Sequence, residues 1–416
     1  MAHPVQLIVR DDLQRSRATV FFRLLLAIPH FLWLALWGVA TLVVVAIHWI
    51  VLLVRGTPWA WAHEFTADFV RYALHVNAYV YLLANPYPGF GGDGYAVDVE
   101  LPPPAPQGRW GVLLRLPLAL PALLLGFVLT SGGWVRGPSS QYGGLLTTTA
   151  VLGWFVSLAL GRMPRGLRDA GAYALGYAAQ VYAYAFLLTD RYPDSDPLAM
   201  LDDLPAAEHP IALAVEDDRR RSRATVFFRL LLAIPHYVWL TIWGIAAIVA
   251  AIANWFAVLF TGRSPDGPHR FLAEYLRYAT HVSAYLYLAA DPYPKFEGHA
   301  GSYPVELVVA GSERQNRWTA LFRLVLAFPA FLIAGSYGGM ALVAAVLGWF
   351  ASLARGEMPR GLRNAIALSL RYSQQTFGYL LLLTDRYPYS GPVADPEQAE
   401  QAPAFLPPDA YAVTPA

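Results

Sequence analysis

The sequence contains no cysteine and has little charge for its length. Among its 416 residues, Asp, Glu, Lys and Arg together make up 14%, and residues 24–54 include none of them. The lack of cysteine excludes disulfides, thiolate metal sites and cysteine nucleophiles. A hydrophobic content of 56%, with 13 Trp and 24 Tyr, is typical of a multi-pass membrane protein.

Motifs for common enzyme chemistries are also missing. The chain has no GxSxG, no P-loop lysine motif and no HExxH. The GFGGDG at 89–94 fits the spacing GxGxxG, but it follows Tyr-Pro instead of joining a strand to a helix, so it predicts a turn and not a dinucleotide site. We therefore expect no enzymatic activity, no cofactor and no metal. A net charge of +1 argues against nucleic acid, so membrane lipids and membrane proteins are the expected partners.

One motif occurs four times along the chain. Each copy opens with an arginine that precedes a proline by six residues, continues to a tryptophan seven residues before a glycine, and closes on Tyr-Pro. The opening arginines are Arg23, Arg115, Arg229 and Arg323; the tryptophans are Trp49, Trp154, Trp255 and Trp349; the closing tyrosines are Tyr87, Tyr192, Tyr293 and Tyr387. The segment at 15–30 returns almost unchanged at 221–236, so the chain is a duplicated two-quarter module.

The repeat predicts the domain organisation. We expect a first membrane module at 1–193 with quarters 1–93 and 94–193, a linker at 194–208, a second module at 209–390 with quarters 209–298 and 299–390, and a disordered tail at 391–416.

The apolar run of each quarter is too long for one straight crossing. A helix over residues 24–54 would be about 46 Å long, against roughly 30 Å of hydrocarbon. Arginines mark both ends of the runs, which places both ends in the cytoplasm. Glycine-rich segments at 131–144 and 335–339 interrupt the even quarters. We therefore predict a helical hairpin with two short crossings per quarter, eight in total, with a single long kinked helix as the alternative.

Short alternating segments precede the apolar runs, and mixed-polarity segments follow them. The former, at 5–9, 95–101, 210–215 and 303–309, predict β-strands that form one small sheet on the cytoplasmic side. The latter predict an amphipathic helix in each quarter. The expected fold is a mainly α membrane protein, with a fourfold repeat of helical hairpin plus amphipathic helix. The expected location is the bacterial plasma membrane, with a cytoplasmic N-terminus.

The most suggestive polar set is Asp68, Arg71 and His75, spaced to share one helical face. Its copy in the third quarter is Glu274, Arg277 and His281. The set is suited to binding an anion or relaying a proton. The alternative is a salt bridge within the helix and a polar stripe that faces lipid headgroups.

Two further sets lie in the apolar runs. His30 and His236 directly follow the repeated proline, where an ionisable group is a functional candidate; the alternative is a capping or interhelical hydrogen bond. The four opening arginines, which begin the runs, are candidates for contacts with lipid phosphates. A ring of these arginines around an anion path is the alternative.

The recurring FRLxLAxP, the tryptophan before a glycine-containing loop, and the LLTDRYP ending together resemble a bacterial multi-pass membrane family defined only as a domain of unknown function, often found as tandem copies. The resemblance spans residues 4–390. It implies an integral membrane location and no assigned activity, substrate or cofactor.

Three functions remain open at this point. The first is a non-enzymatic module that organises lipids or scaffolds partner proteins, which fits the lack of catalytic groups. The second is a pseudo-symmetric transporter or channel for a small, anionic solute, which requires His30, His236 and the four opening arginines to converge on a central cavity. The third is an enzyme acting on lipid headgroups through Asp68, Arg71 and His75.

Overall fold

Each quarter of the chain contains a short β-strand, one or more apolar helices and a 21-residue helix of mixed polarity. The computed structural model describes residues 3–92, 94–131, 143–206 and 208–394. In chain order the elements are β1 (Gln6–Val9), α1 (Arg17–Arg55), α2 (Ala60–Val80), β2 (Val97–Glu100), α3 (Arg109–Leu113), α4 (Arg115–Thr130), α5 (Leu145–Leu160), α6 (Arg165–Ala185), β3 (Ile211–Val215), α7 (Arg223–Thr261), α8 (Asp266–Leu286), β4 (Val305–Val309), α9 (Arg317–Leu321), α10 (Arg323–Arg355) and α11 (Arg360–Leu380). The predicted strands and amphipathic helices all form.

The strands form two sheets, and the prediction of one shared sheet is wrong. β1 pairs antiparallel with β2, with Leu7 opposite Val99, and β3 pairs antiparallel with β4, with Leu213 opposite Leu307. Each sheet rests on helices of its own module, because β1 contacts α6 and β2 contacts α2, while β3 contacts α11 and β4 contacts α8. That packing ties the two sheets to different helix pairs.

The helical-hairpin prediction is also wrong, and with it the count of eight crossings. α1 and α7 each continue for 39 residues, and α10 runs for 33 residues through the glycine-rich segment 335–339. The three glycines of this segment cost about 3 kcal/mol in total relative to alanine. Full burial of the Tyr337 ring and the contact between Ser336 and Thr148 at 2.8 Å offset that cost. Among the described residues, α1, α7 and α10 are long and apolar enough to cross a membrane.

The second quarter differs because its apolar run is divided. α4 ends at Thr130 and α5 begins at Leu145, and most of the predicted break at 131–144 lies outside the described residues. The hydroxyl of Thr147 donates to the carbonyl of Thr130 at 2.8 Å, so the two helix ends adjoin.

The repeated tryptophan and glycine determine how the long helices end. Gly56, which follows α1, has φ 73°, the left-handed conformation of a helix C-cap, and the glycines that end α5, α7 and α10 share it. Two turns earlier, the indole N–H of Trp49 donates to the carbonyl of Val112 at 2.8 Å. The other three tryptophans donate to backbone carbonyls at the start of a partner helix: Val20, Ala320 and Val226.

At four places the start of one helix lies against the end of another. We call these places the feet. The first foot joins the start of α1 to the end of α5, and the second joins the start of α3 to the end of α1. The third joins the start of α7 to the end of α10, and the fourth joins the start of α9 to the end of α7. The tryptophans therefore join helices at the feet.

The even quarters meet in the middle of the molecule. α10 packs against α4 and α5, and the hydroxyls of Thr148 and Ser336 lie 2.8 Å apart. Tyr389, after α11, donates to Asp169 of α6 at 2.7 Å. Reciprocally, Asn364 of α11 donates to Asp196, after α6, at 2.9 Å. Asp196 lies in the predicted linker, so the start of that linker is packed.

The predicted tail begins as packed chain. Arg371 of α11 donates to the carbonyl of Gly391, and the amide of Ala394 donates to the carbonyl of Pro205 at 2.9 Å. Residues 395–416, where the remainder of the predicted disordered tail falls, lie outside the described residues.

Candidate functional site

The side chain of each opening arginine packs against the C-terminal end of the mixed-polarity helix in the same quarter. After α2, Leu82 adopts a left-handed backbone with φ 65°, and Leu187, Leu288 and Leu382 do the same in the other quarters. This conformation is costly for a residue with a side chain. All four leucine side chains are buried, which offsets the cost. The tight turn leaves backbone carbonyls that point toward the opening arginine.

Arg23 fills this turn in the first quarter. Its guanidinium lies 4.4 Å from the ring centroid of Tyr79 and donates to the carbonyls of Tyr79 at 2.5 Å and Ala84 at 2.9 Å. A longer contact of 3.4 Å reaches the side chain of Asn85. The residue is only 2% exposed. Arg23 is therefore a buried cation held by backbone carbonyls and an aromatic face.

The same arrangement occurs around each of the other opening arginines. Arg115, Arg229 and Arg323 are each 2% exposed and lie 4.0–4.4 Å from the rings of Tyr184, Tyr285 and Tyr379. Arg229 and Arg323 also pair with carboxylates, those of Asp291 at 2.5 Å and Asp385 at 3.0 Å. Each arginine occupies a separate socket within its own quarter. None of the four is available to a lipid phosphate, and they do not form a ring.

The opening and closing motifs dock onto each other. The hydroxyl of Tyr87, from the closing Tyr-Pro, donates at 3.2 Å to the carbonyl of Leu26, three residues before Pro29. Tyr293 repeats this contact with Leu232. The carbonyl that Pro29 leaves without a helical N–H partner is that of Leu25, so Tyr87 binds the neighbouring carbonyl and joins the closing motif to the same turn of α1.

His30 is fully buried between α1 and α2. Its Nδ1 lies 2.6 Å from the hydroxyl of Tyr72, and its ring stacks on Phe90 at a centroid distance of 4.5 Å. His236 makes the same contacts with Tyr278 and Phe296, at 2.7 and 4.4 Å. The interhelical hydrogen bond, given above as an alternative, is what the structure shows.

The first polar set does come together, and it gains a fourth member. Arg71 pairs with Asp68 at 3.1 Å, while His75 Nε2 lies 2.8 Å from Asp98 on β2. The Nε of Arg71 lies 3.8 Å from the same carboxylate. Asp98 is an acceptor when ionised, so the neutral imidazole donates from Nε2. Burial lowers the pKa of His75, and the bond to Asp98 opposes that shift.

The copy in the second module is arranged differently. Arg277 pairs with Glu306 on β4 at 2.8 Å and not with Glu274 of its own helix. It also donates to the carbonyls of Leu307 and Gly298. His281 Nε2 lies 3.4 Å from Glu306. Burial lowers the pKa of His281 to about 4, helped by the nearby Arg277, and burial raises the pKa of Glu306. In both modules the cluster joins a helix to a strand.

Asp98 and Glu306 are site residues that the sequence analysis missed. Each is an acid three residues after a tyrosine, Tyr95 or Tyr303, in the strand of an even quarter. Each tyrosine ring lies 5.0 Å from the histidine that its acid faces. An acid between two buried apolar residues at the same place in both strands was the available signal.

A cleft of about 850 Å³ lies at the third foot. It is lined by acids such as Asp218 and Glu357 together with Arg220 and Arg355. The cleft contains none of the opening arginines and neither His30 nor His236. Within the described part of the chain, no group of His, Asp and Glu side chains is arranged to hold a metal ion.

A known family matches the chain four times, once in each quarter. A family model described as Domain of unknown function (DUF4389) matches residues 17–91, 140–195, 223–297 and 317–390, which is more than half of the chain. The chain belongs to the DUF4389 family. Each of the four DUF4389 matches falls in a different quarter, as the repeated motif predicts. No curated protein and no solved structure matches the chain.

Proposed function

We propose that this DUF4389 chain is a non-enzymatic membrane module that binds and organises lipids in the bacterial plasma membrane. The sheets and the N-terminus face the cytoplasm in this proposal, because arginines concentrate at the ends of the apolar helices. The proposal concerns the whole chain, since all four quarters contribute apolar surface.

The observation that carries the proposal is the exposed apolar surface of the long helices. On α7, Leu230 and Phe260 are each 76% exposed, and on α10 Leu324 is also 76% exposed. Soluble monomers rarely expose continuous apolar surface of this extent. Lipid acyl chains are the partner that matches a surface without hydrogen-bonding groups.

The side-chain arrangement does not favour the transport alternative. That function needed His30, His236 and the opening arginines to converge on a cavity, but the arginines occupy four separate sockets and the histidines are packed against tyrosine and phenylalanine rings. The alternative of an enzyme acting on lipid headgroups is the weaker proposal, because Arg71 and His75 both engage Asp98 of β2 and so take part in joining α2 to the sheet.

Reconstitution into vesicles tests the proposal. The full chain is incorporated into phospholipid vesicles that contain a labelled phospholipid and a trapped chloride-sensitive dye. We expect the chain to slow lateral diffusion of the labelled lipid in proportion to its density, with chloride flux equal to that of protein-free vesicles. Chloride flux above that background, with lipid diffusion unchanged, would overturn the proposal in favour of a channel.

A further inference from the structure

We propose that the long apolar helices lie in the plane of one leaflet, with the arginines at both ends of each helix at the level of the lipid phosphates, and do not cross the bilayer. This inference rests on the proposed membrane association and specifies its geometry. The protein would then be monotopic, inserted into one leaflet only, although α1, α7 and α10 are long enough to span the bilayer.

The middle of α1 lies beside charged groups, which is the first argument. Trp37, near the midpoint of α1, packs on Phe69 at 5.9 Å and on Tyr72 at 5.5 Å. Asp68 and Arg71 of α2 adjoin these residues in sequence, and their side chains are 53% and 30% exposed. If α1 crossed the bilayer, its midpoint would carry these charges to the centre of the hydrocarbon.

The cost of that placement decides against a crossing. Insertion scales assign about 2.5–3.5 kcal/mol to one charged side chain at the centre of a spanning helix. Asp98 on β2, beside the same pair, would add a third charge at this depth. With α1 in the membrane plane, α2 lies on the water side and none of these groups enters the hydrocarbon.

The position of the first sheet gives a second, independent argument. β1 ends at Val9, eight residues before α1 begins at the first foot, and β2 ends at Glu100, nine residues before α3 begins at the second foot. Because β1 and β2 are hydrogen-bonded to each other, the sheet lies between the two feet. A two-stranded sheet has open edges that hydrocarbon cannot satisfy, so both feet must lie on the same water-exposed side.

The exposed side chains of α1 form one broad apolar face along its whole length, which covers more than half of the helix circumference. Buried positions such as Arg23, His30 and His48 lie on the opposite side of the helix. The central row of this face, which we call the exposed stripe, comprises Phe21, Leu25, Ile28, Leu32, Leu36, Val39, Val43, Ile47, Ile50 and Val54, and Phe22, Leu24, Phe31 and Leu42 flank it. It is about 50 Å long, which exceeds the hydrocarbon thickness. An apolar face of this length and width fits a helix that lies lengthwise in one leaflet, with its buried side covered by the rest of the protein.

Exposed arginines are found in pairs at all four feet. One of each pair begins a helix and the other ends a helix or directly follows its C-cap glycine. The pairs are Arg17 with Arg162, Arg109 with Arg55, Arg223 with Arg355, and Arg317 with Arg263. An in-plane arrangement brings all eight guanidinium groups to the phosphates of one leaflet, where long cationic side chains are favourable.

Thiol labelling at the two ends of α1 tests the orientation. The chain lacks cysteine, so Ser16→Cys and Thr57→Cys, both at exposed positions, are made one at a time and treated with a membrane-impermeant thiol reagent in intact cells and in inverted vesicles. In-plane helices predict that both cysteines label from the same side. Labelling from opposite sides would overturn the inference.

Depth measurements provide a second readout that does not depend on loop accessibility. Spin labels at Leu25, Val39 and Ile50, all on the exposed stripe, are compared by oxygen and nickel accessibility in vesicles. In-plane helices predict equal depths. A crossing helix predicts that Val39 lies far deeper than Leu25, since fourteen residues of helix span about 21 Å.

The two proposals fail in different ways. The wild-type chain is first tested for flotation with phospholipid vesicles. If it does not float, both the proposed membrane function and the inferred in-plane orientation are wrong. If it floats but the labels lie on opposite sides or at unequal depths, only the in-plane orientation is wrong.

Discussion

The arginine sockets predict that the cation matters more than its acidic partner. In the third quarter Arg229 contacts Asp291 and the carbonyl of Ala290, whereas in the first quarter Asn85 occupies the position of Asp291. The chain therefore already contains a socket without a carboxylate. We expect Asp291→Asn to be tolerated and Arg229→Met to be severely destabilising.

The magnitudes follow from the contacts. Arg229→Met leaves the carbonyl of Ala290 without its buried donor, at about 1–3 kcal/mol. It also removes one of the donors to the carbonyl of Tyr285, which keeps the amide of Leu288, at about 1 kcal/mol, and a cation–π contact of about 1 kcal/mol. The sum is about 3–5 kcal/mol. Asp291→Asn keeps a hydrogen-bond acceptor, and its side chain is 25% exposed, so we expect about 1 kcal/mol.

Thermal unfolding of the full chain in detergent, followed by tryptophan fluorescence, measures both changes. A unit of about 200 residues loses roughly 2–4 °C in Tm per kcal/mol, so Arg229→Met should lower the Tm by more than 6 °C and Asp291→Asn by less than 4 °C. The matched control is Asn85→Asp, which should leave the Tm unchanged or raise it. Equal losses for the two third-quarter variants would refute the view that the carbonyls hold the arginine.

Three further predictions concern other parts of the fold. Trp349→Phe should lower stability by about 1 kcal/mol, measured by thermal unfolding, because it removes the indole donor to the Val226 carbonyl at 3.0 Å. Gly56→Ala should destabilise by about 1–2 kcal/mol, because φ is 73° there, whereas Gly111→Ala should raise stability by up to about 1 kcal/mol, because Gly111 lies inside α3 and no atom lies within 4 Å of the added Cβ. Burial lowers the pKa of His281 to about 4, below the usual 6.5, so protonation favours the unfolded chain and stability is lost as the pH falls from 6.5 toward 4. His281→Gln, which copies the even quarters, should flatten that loss in Tm measured against pH; an unchanged slope would contradict the assignment.

The repeat in the sequence was enough to predict four units, four strands and four mixed-polarity helices, because each depends on local periodicity. It was not enough to predict that Arg23 and Tyr87, which belong to opposite ends of one quarter, both pack against the ring of Tyr79. That contact depends on the left-handed turn at Leu82. A leucine in this conformation has no local sequence signal, since glycine is the residue that usually adopts it.

The error about hairpins has a physical cause. The glycine-rich segment 335–339 was interpreted as a break, yet a Cβ added to Gly339 would lie 3.5 Å from Val128 of α4, and Ser336 contacts Thr148 of α5. Small residues at these positions let neighbouring helices approach closely. Whether a glycine bends a helix or packs it depends on its tertiary neighbours, which a single sequence does not contain.

The contacts between the even quarters join the two modules independently of the linker. Tyr389, after α11, contacts Asp169 of α6, and Asn364 of α11 contacts Asp196, after α6, so each module supplies a helix residue and a following residue to the other. Two polypeptides, one ending at residue 206 and one beginning at residue 207, should therefore reassemble when produced in the same cell, and co-purification through a tag on one of them measures it.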